Sequence, residues 1–328
     1  MQFGQLKRRE FITLLGGAAA WPLPARAQQA SNSATIGLLW PGDAPPASPR
    51  MESFRQGLRA LGFVDGQNVA IELRYAQKGP QQLPELAAEL VRLKVDVIFA
   101  SGDFAPKVAQ QATETIPIVA ISDDILGAGI VASLSRPGGN TTGLTILSPE
   151  LSAKRLEVLR DIIPGLSRVT ALWDPTTGAS QVTMTTSAAL SLNLKLQVLE
   201  VRRREEVAAA VRAARNSQAD ALNVFSSPIL ASLHREIIAF AAEYRLPAIY
   251  QWKEHVEAGG LVSYGPGLAA IWRQSAIIVA KVLKGVKPAD LPVEQPTKFE
   301  LALNLGTAKS LELTIPPSIL LRADEVIE

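Results

Sequence analysis

Gly37-Leu38-Leu39-Trp40-Pro41-Gly42-Asp43 and Thr170-Ala171-Leu172-Trp173-Asp174-Pro175 share one pattern. Each is a short apolar run that ends in Leu-Trp and breaks into a Pro/Gly/Asp turn. A brief apolar run bounded by turn residues reads as a buried strand. In both places a helical stretch follows, so the sequence describes two similar halves in tandem.

Working outward from the first opening, Thr35–Leu39 is the strand. Ser48-Pro49 then reads as an N-cap with proline at the first helical position, and the helix runs through Leu61 until Gly62 stops it. Strands are predicted over Val69–Tyr75, Val95–Ala100 and Ile116–Ile121, with helices over Leu83–Leu93 and Pro106–Thr113 between them. Around the second opening, strands are predicted over Val169–Trp173, Leu194–Val201, Ala219–Phe225 and Pro247–Tyr250. They alternate with helices at Ser180–Leu190, Glu205–Ala214 and Ile229–Tyr244. Strict strand–helix alternation is the mark of an α/β protein with parallel sheets covered on both faces.

The rest of the chain crosses back. Leu261–Ser263 is a short strand, Leu268–Leu283 a long helix ended by Gly285, and Lys298–Asn304 a strand after the proline-rich 288–296. With a strand at Thr142–Ile146, three passages between halves are expected near 143–147, 260–265 and 293–298. The fold class is therefore α/β: two Rossmann-like lobes with parallel sheets joined by a three-strand hinge. Residues 34–143 and 264–292 are assigned to the N-terminal lobe, and 144–263 and 297–328 to the C-terminal lobe.

The first 27 residues read as an export signal. Lys7-Arg8-Arg9 precedes an apolar run from Phe11 to Ala20, and Ala25-Arg26-Ala27 offers the small-x-small cleavage pattern. Paired arginines followed by x-Phe-Ile resemble a twin-arginine signal. The run is about half the ~20 residues that span a bilayer, and Pro22 and Pro24 interrupt it. The expected product is not membrane-embedded after cleavage near Ala27, and its location is periplasmic. Residues 1–27 hold Lys7, Arg8, Arg9 and Arg26 against Glu10, a net of +3, so a whole-chain charge of +2 leaves −1 for the remainder. No nucleic-acid partner is implied. The chain has no cysteine, which rules out a disulfide framework and a lipid-bearing cysteine.

In open α/β sheets ligands bind outside the carboxyl ends of the strands, where backbone N–H groups are free. Position alone thus nominates a ligand site: Trp40 and Asp43; Ser101, Gly102, Asp103 and Phe104; Ser122, Asp123 and Asp124; Trp173, Asp174 and Thr176; Ser226 and Ser227; Tyr250, in the loop Tyr250-Gln251-Trp252; and Tyr264. Aromatic faces bury apolar ligand surface and hydroxyls orient it. Asp123 or Asp124 suits a ligand ammonium. Asp43 and Asp103 equally suit helix caps, Asp174 a turn, and Trp40 and Trp173 the lobe interiors.

Enzyme signals are thin. His234-Arg235-Glu236 lacks a second histidine one turn on, so no metal ligand set is expected and His234 reads as a surface helix residue. There is no nucleophile elbow and no P-loop. Gly127-Ala128-Gly129-Ile130-Val131-Ala132 matches a relaxed dinucleotide fingerprint, but it follows the fourth strand beside Asp123-Asp124, which would repel a pyrophosphate. A glycine-rich helix start is the simpler reading, and no cofactor is expected.

Arg136-Pro-Gly-Gly-Asn140-Thr-Thr-Gly143, Gly259-Gly-Leu-Val-Ser-Tyr264-Gly265, Leu291-Pro-Val-Glu-Gln-Pro-Thr-Lys298-Phe-Glu300 and the ending from Ile315 to Glu328 resemble the ABC transporter substrate-binding proteins of the tryptophan/tyrosine type. The resemblance covers essentially all of the chain after residue 27. It implies a type I periplasmic-binding fold and, as partners, an ABC transporter permease and ATPase. Two loops depart from the family pattern: Ser101-Gly-Asp-Phe104 where Gly-Thr-Pro-Ala is usual, and Ser122-Asp-Asp124 where Gly-Asp-Pro is usual. The expected function is capture of a small organic ligand, amino acid-like or aromatic, in an inter-lobe cleft. The alternatives are an exported cofactor-dependent enzyme and a subunit presenting ligand to a sensor.

Overall fold

A computed structural model of the protein describes residues 33–42 and 49–328. The expected export signal and Asp43 lie outside the described residues. From Ala34 to Glu328 the chain is one compact unit.

The first half contributes β1 (Ala34–Trp40), α1 (Pro49–Arg59), β2 (Val69–Tyr75), α2 (Leu83–Arg92), β3 (Val97–Ser101), α3 (Phe104–Ala112), β4 (Ile118–Ser122) and β5 (Thr141–Thr145). The second contributes α4 (Ser148–Ile162), β6 (Arg168–Trp173), α5 (Ser180–Ser191), β7 (Lys195–Glu200), α6 (Arg204–Asn216), β8 (Ala221–Val224), α7 (Pro228–Ser232), α8 (His234–Glu243), β9 (Ala248–Tyr250), α9 (Lys253–Glu257) and β10 (Val262–Pro266). The remainder is α10 (Leu268–Leu283), β11 (Phe299–Asn304), α11 (Leu305–Ser310), α12 (Pro317–Leu320) and β12 (Glu325–Ile327).

The strands form two sheets, ordered β2-β1-β3-β4-β5 and β12-β11-β10-β9-β8-β6-β7. All pairings are parallel except β10 with β11, which run antiparallel. The two-lobed α/β architecture expected from the sequence is present. The chain moves between sheets after β5, after β10 and before β11. Because β10 pairs with β11 through Pro266, Tyr264 belongs to the second sheet and the middle passage falls after Pro266 rather than within 260–265.

The long helix α10 returns to the first lobe and packs along α1. A Cβ on Gly57 would sit 2.7 Å from the Ala276 Cβ and 2.9 Å from the Arg273 carbonyl, so glycine sets the approach of these two helices. The core they share is aromatic. Phe54 stacks on Phe99 with centroids 4.8 Å apart, and Trp272 meets both edge-on. Each such buried side chain contributes about 1.5–3 kcal/mol.

Several elements differ from the sequence reading. The helix α4 was not anticipated, although Ser148-Pro149 repeats the start signal that marked Ser48-Pro49. The predicted helix Ile229–Tyr244 is two helices broken at Leu233. There the Ser232 hydroxyl bonds the Ile229 carbonyl and the His234 ring bonds the Ala231 carbonyl, so side chains take over acceptors that a continuous helix would use. Gly127–Ala132 forms turns, not a helix start. Gly129 has positive φ, and the Asp124 carboxylate accepts the Gly127 N–H, closing the chain on itself.

Gly143 sits mid-way along β5 at φ 151°, where a Cβ would collide with the Ala120 backbone. Replacing it separates β4 from β5 beside the first inter-lobe passage. Gly143→Ala is expected to cost at least about 2 kcal/mol of stability. A urea midpoint within error of wild type would refute the close approach.

Candidate functional site

The carboxyl ends of both sheets face one another, and the loops leaving them are tied by buried carboxylates. Asp103 stands at the start of α3 yet does not cap it. Its Oδ1 instead accepts the Ser122 hydroxyl at 2.5 Å and the Asp123 N–H at 2.9 Å, bracing the β3 loop to the β4 loop. Burial, 3% exposed, pushes its carboxyl up to about 6 despite those hydrogen bonds. Asp123 is equally buried and receives the Ser148 hydroxyl at 2.7 Å and a hydrogen bond from Ser226 of the other lobe. Burial and the neighbouring Asp103 hold its carboxyl well above the usual range.

On the second lobe, Asp174 accepts the Thr176 N–H and hydroxyl and a hydrogen bond from Ser227. Arg155 on α4 is fully buried. Its Nε donates to the Tyr264 carbonyl at 2.9 Å and one terminal nitrogen to Ser152. Desolvation pulls the guanidinium down to about 9, with Asp123 opposing that shift. Ser152 leads on to Gln181, whose amide bonds both the carbonyl and the N–H of Ser226. The strand-end loops of the second lobe are thus held as one polar network.

Between the lobes lies a small inner chamber of about 40 Å³, bounded by Ser101, Gly102, Ser122 and Asp123 on one side and Ser226, Ser227 and Pro228 on the other. That volume holds a few waters and falls short of the ~150 Å³ that admits benzene. The chamber shares Trp40, Arg50, Ala231, Leu268 and Trp272 with a larger vestibule of about 520 Å³. The vestibule lies between α1 and β1 of the first lobe and α7, α8 and α9 of the second. The lobes touch at its inner end: a Cβ on Gly102 would lie 2.9 Å from the Pro228 ring, and one on Gly42 3.6 Å from the Ser232 hydroxyl.

The vestibule walls differ in character. The first lobe presents Trp40, Leu38, Met51, Leu268 and Trp272, with Trp40 and Trp272 rings 5.7 Å apart. The Arg50 guanidinium lies 5.5 Å above the Trp40 ring. The second lobe presents His234, His255 and Glu254. The two histidines stack with centroids 4.8 Å apart, and the Tyr250 ring meets His255 edge-on at 5.6 Å. Desolvation, first among the causes for both rings, lowers their pKa, His255 most strongly, so the stack is neutral near pH 7.

Of the residues nominated from sequence, Trp40, Ser101, Gly102, Ser122, Asp123, Ser226 and Ser227 meet around the inner chamber. Asp103 braces it from behind. Asp124 is half-buried and spent on the Gly127 turn. Phe104 packs into the core beneath α2 and α3. Trp173 is half-buried among second-lobe side chains and donates its indole N–H to Gly178, and Asp174 and Thr176 form the turn beside it. Tyr250 belongs to the second-lobe core and lines a separate pocket of about 130 Å³. Tyr264 offers its carbonyl to Arg155 while its ring packs near Phe299. The sequence reading missed Arg50, Glu254, Trp272 and the histidine pair. His234 is half-buried against His255 rather than on the surface. Among the described residues no cluster of three or more His, Cys, Asp or Glu could hold a metal ion.

A family model for the ABC transporter substrate binding protein matches residues 43–327. The chain belongs to that family. It is 25% identical over 283 residues to a "Tyrosine-binding protein" of Clostridioides difficile (strain R20291), covering 85% of this chain and 81% of that one. Among solved structures, an ABC domain in complex with L-Trp from Streptococcus pneumonia superposes with TM-score 0.83 at 26% identity, over 90% of this chain and 100% of that one. The ligand-free, open form of a Clostridium difficile substrate-binding protein with adhesive properties superposes at 0.63, with 24% identity over 90% and 99%. These likenesses place the fold with the type I periplasmic-binding proteins. Among the described residues of this substrate-binding protein, no helix is long and apolar enough to cross a membrane.

Asp103 binds its proton more tightly folded than unfolded, since its carboxyl rises from 3.8 to about 6. Its contribution is full below about pH 4 and is lost as pH rises through 6, on the order of 3 kcal/mol. Asp103→Asn keeps the Oδ1 acceptor and removes the charge. Its stability relative to wild type should therefore increase from pH 4 to pH 7 in urea unfolding. A difference that stays constant with pH would show that the carboxyl titrates like an exposed one.

Proposed function

We propose that this chain is the exported solute-binding component of an ABC importer, capturing a small amino acid-like or aromatic molecule between its lobes. A permease and an ATPase are its partners, the periplasm is its place of work, and the segment ending near Ala27 is its export signal. The observation that carries this reading is the vestibule. Both lobes wall it, its first-lobe face is aromatic and its volume suits a small organic ligand, for which pockets of about 300–1,000 Å³ are usual.

The relatives support the ligand class: one is named for tyrosine and another is seen with L-Trp. The likeness is greater to the L-Trp complex than to the open, ligand-free form, at similar identity and coverage. A rotation between rigid lobes lowers a whole-chain superposition in this way, which favours a closed arrangement here. The lobe contacts at Gly42–Ser232 and Gly102–Pro228 agree. Ligand enters when the hinge opens, closure removes water and strengthens its polar contacts, and the transporter responds to the closed shape.

A lock across the cleft tests this. The chain has no cysteine, and the Gly42 and Ser232 positions are close enough for a disulfide. In Gly42→Cys/Ser232→Cys, oxidation should close the cleft and abolish the thermal shift given by ligands of the wild-type protein, found by screening amino acids, aromatic acids, polyamines, purines and sugars. Reduction should restore it. A saturating ligand at about a hundredfold over Kd stabilises by about 2.7 kcal/mol, which such a screen reads easily. A ligand that still binds the oxidised lock at full rate would place the site elsewhere.

A further inference from the structure

The carboxylates around the inner chamber are engaged in the protein's own hydrogen bonds, although Asp103 Oδ2 is buried without a partner among the described residues. Asp103 is spent on Ser122 and Asp123, Asp123 on Ser148 and Ser226, Asp174 on Thr176 and Ser227. The volume beside them, about 40 Å³, has no room for a charged head group with its substituents. The acids that sequence position favours for an ammonium are therefore structural.

In the vestibule the situation is reversed. Among the described residues, Trp40 is 5% exposed and its Nε1 has no protein partner. The Tyr75 hydroxyl, which also lines the space, is buried without one. Arg50, stacked above Trp40, has no ion pair within 4.0 Å among the described residues. All three are donors on the first lobe. Facing them, Glu254 Oε2 and His255 Nδ1 are buried on the second lobe, again without partners among the described residues. Leaving such groups unpaired is costly, and they converge on one space from two bodies.

We propose that Arg50 and Glu254 are the specificity-determining pair of the cleft and that its ligand is a zwitterion with an apolar side chain. The carboxylate is received by Arg50 with the Trp40 N–H, and the ammonium by Glu254. This rests on the cleft reading above and adds the charge pattern of the ligand. The apolar part lies against Trp40, Leu268 and Trp272, which supply a flat hydrocarbon wall. Other charges nearby do not compete: Arg235 is exposed at the rim, and Glu257 is exposed and pairs with Lys253 at 3.5 Å. Exposed charges contribute little to binding. The neutral histidine stack leaves Glu254 as the negative group facing Arg50. Desolvation raises the Glu254 carboxyl, with Arg50 working against that rise, so a bound cation would restore its charge.

The test pairs ligand deletions with side-chain deletions. L-tryptophan, tryptamine and indole-3-propionate are titrated by calorimetry into wild type, Arg50→Met and Glu254→Gln, with the tyrosine series (L-tyrosine, tyramine, 3-(4-hydroxyphenyl)propionate) alongside. Wild type should bind the amino acid at least about tenfold tighter than either truncated analogue, as expected for a charge-assisted contact. Arg50→Met should weaken the amino acid by about tenfold or more and tryptamine by less than about threefold. Glu254→Gln should do the same with indole-3-propionate as the insensitive ligand. Arg50→Lys, which keeps the charge and loses the fork, should fall between wild type and Arg50→Met, and it serves if Arg50→Met does not fold. If each variant weakens all compounds by one common factor, the pair is structural and the inference is overturned while the cleft reading stands. If none of the twenty amino acids binds wild type, the zwitterion is overturned. A different compound blocked by the Gly42→Cys/Ser232→Cys lock would then preserve the cleft itself.

Discussion

The carboxylate of Asp123 ties the two lobes together at the inner end of the cleft. It leaves the first sheet at the end of β4, accepts Ser148 from the first residue of α4, and accepts Ser226 from the loop after β8. Its own carbonyl takes the Ser148 N–H at 3.0 Å. One residue thus fixes the strand end, the start of the first helix after the hinge, and the opposing lobe. Two buried acids side by side would repel if both ionised, and burial with that repulsion raises the Asp123 carboxyl, so that protonation relieves the conflict. Arg155, buried behind the hinge, adds a compensating charge without a direct ion pair.

That arrangement separates support from recognition. Polar groups of the inner chamber bond mostly to one another, tying the strand-end loops together where little space remains. The larger space lies outward, in a vestibule whose first-lobe wall is the exposed flank of the aromatic core. Trp272 shows the economy of this design: it packs edge-on against Phe54 and Phe99 and presents its remaining surface to the cleft. It arrives on α10, a helix that returns from the second lobe to pack on α1, so the wall depends on the hinge being crossed three times.

The sequence carried the fold further than the site. Periodicity and stop signals placed α10 at Leu268–Leu283 and β2 at Val69–Tyr75 because local pattern and tertiary role agree there. They did not reveal α4, whose Ser148-Pro149 start was legible but whose apolar face is interrupted by the buried Arg155 and Ser152. Strand-end position brought seven nominated residues to one chamber, since parallel α/β topology dictates where loops gather. It could not show that Asp103 would turn away from its helix to brace the neighbouring loop. Nor could it join Arg50 to Glu254, or His234 to His255. Those pairs exist because α8 packs on α9 within the second lobe and α1 faces both across the cleft, and no local spacing encodes either meeting.

The same geometry explains why a ligand can act as a switch. Direct contacts between lobes at the inner end are few and small: a proline ring over Gly102, a serine beside Gly42, one hydroxyl on Asp123. A ligand seated on one lobe alone, however tightly, would bind both forms equally and shift nothing. Only contacts made to both walls at once distinguish the forms, and the unpartnered groups of the vestibule are divided between the walls. Donors on the first wall face acceptors on the second. In the proposed reading, occupancy and shape are linked by the placement of charge on the two walls.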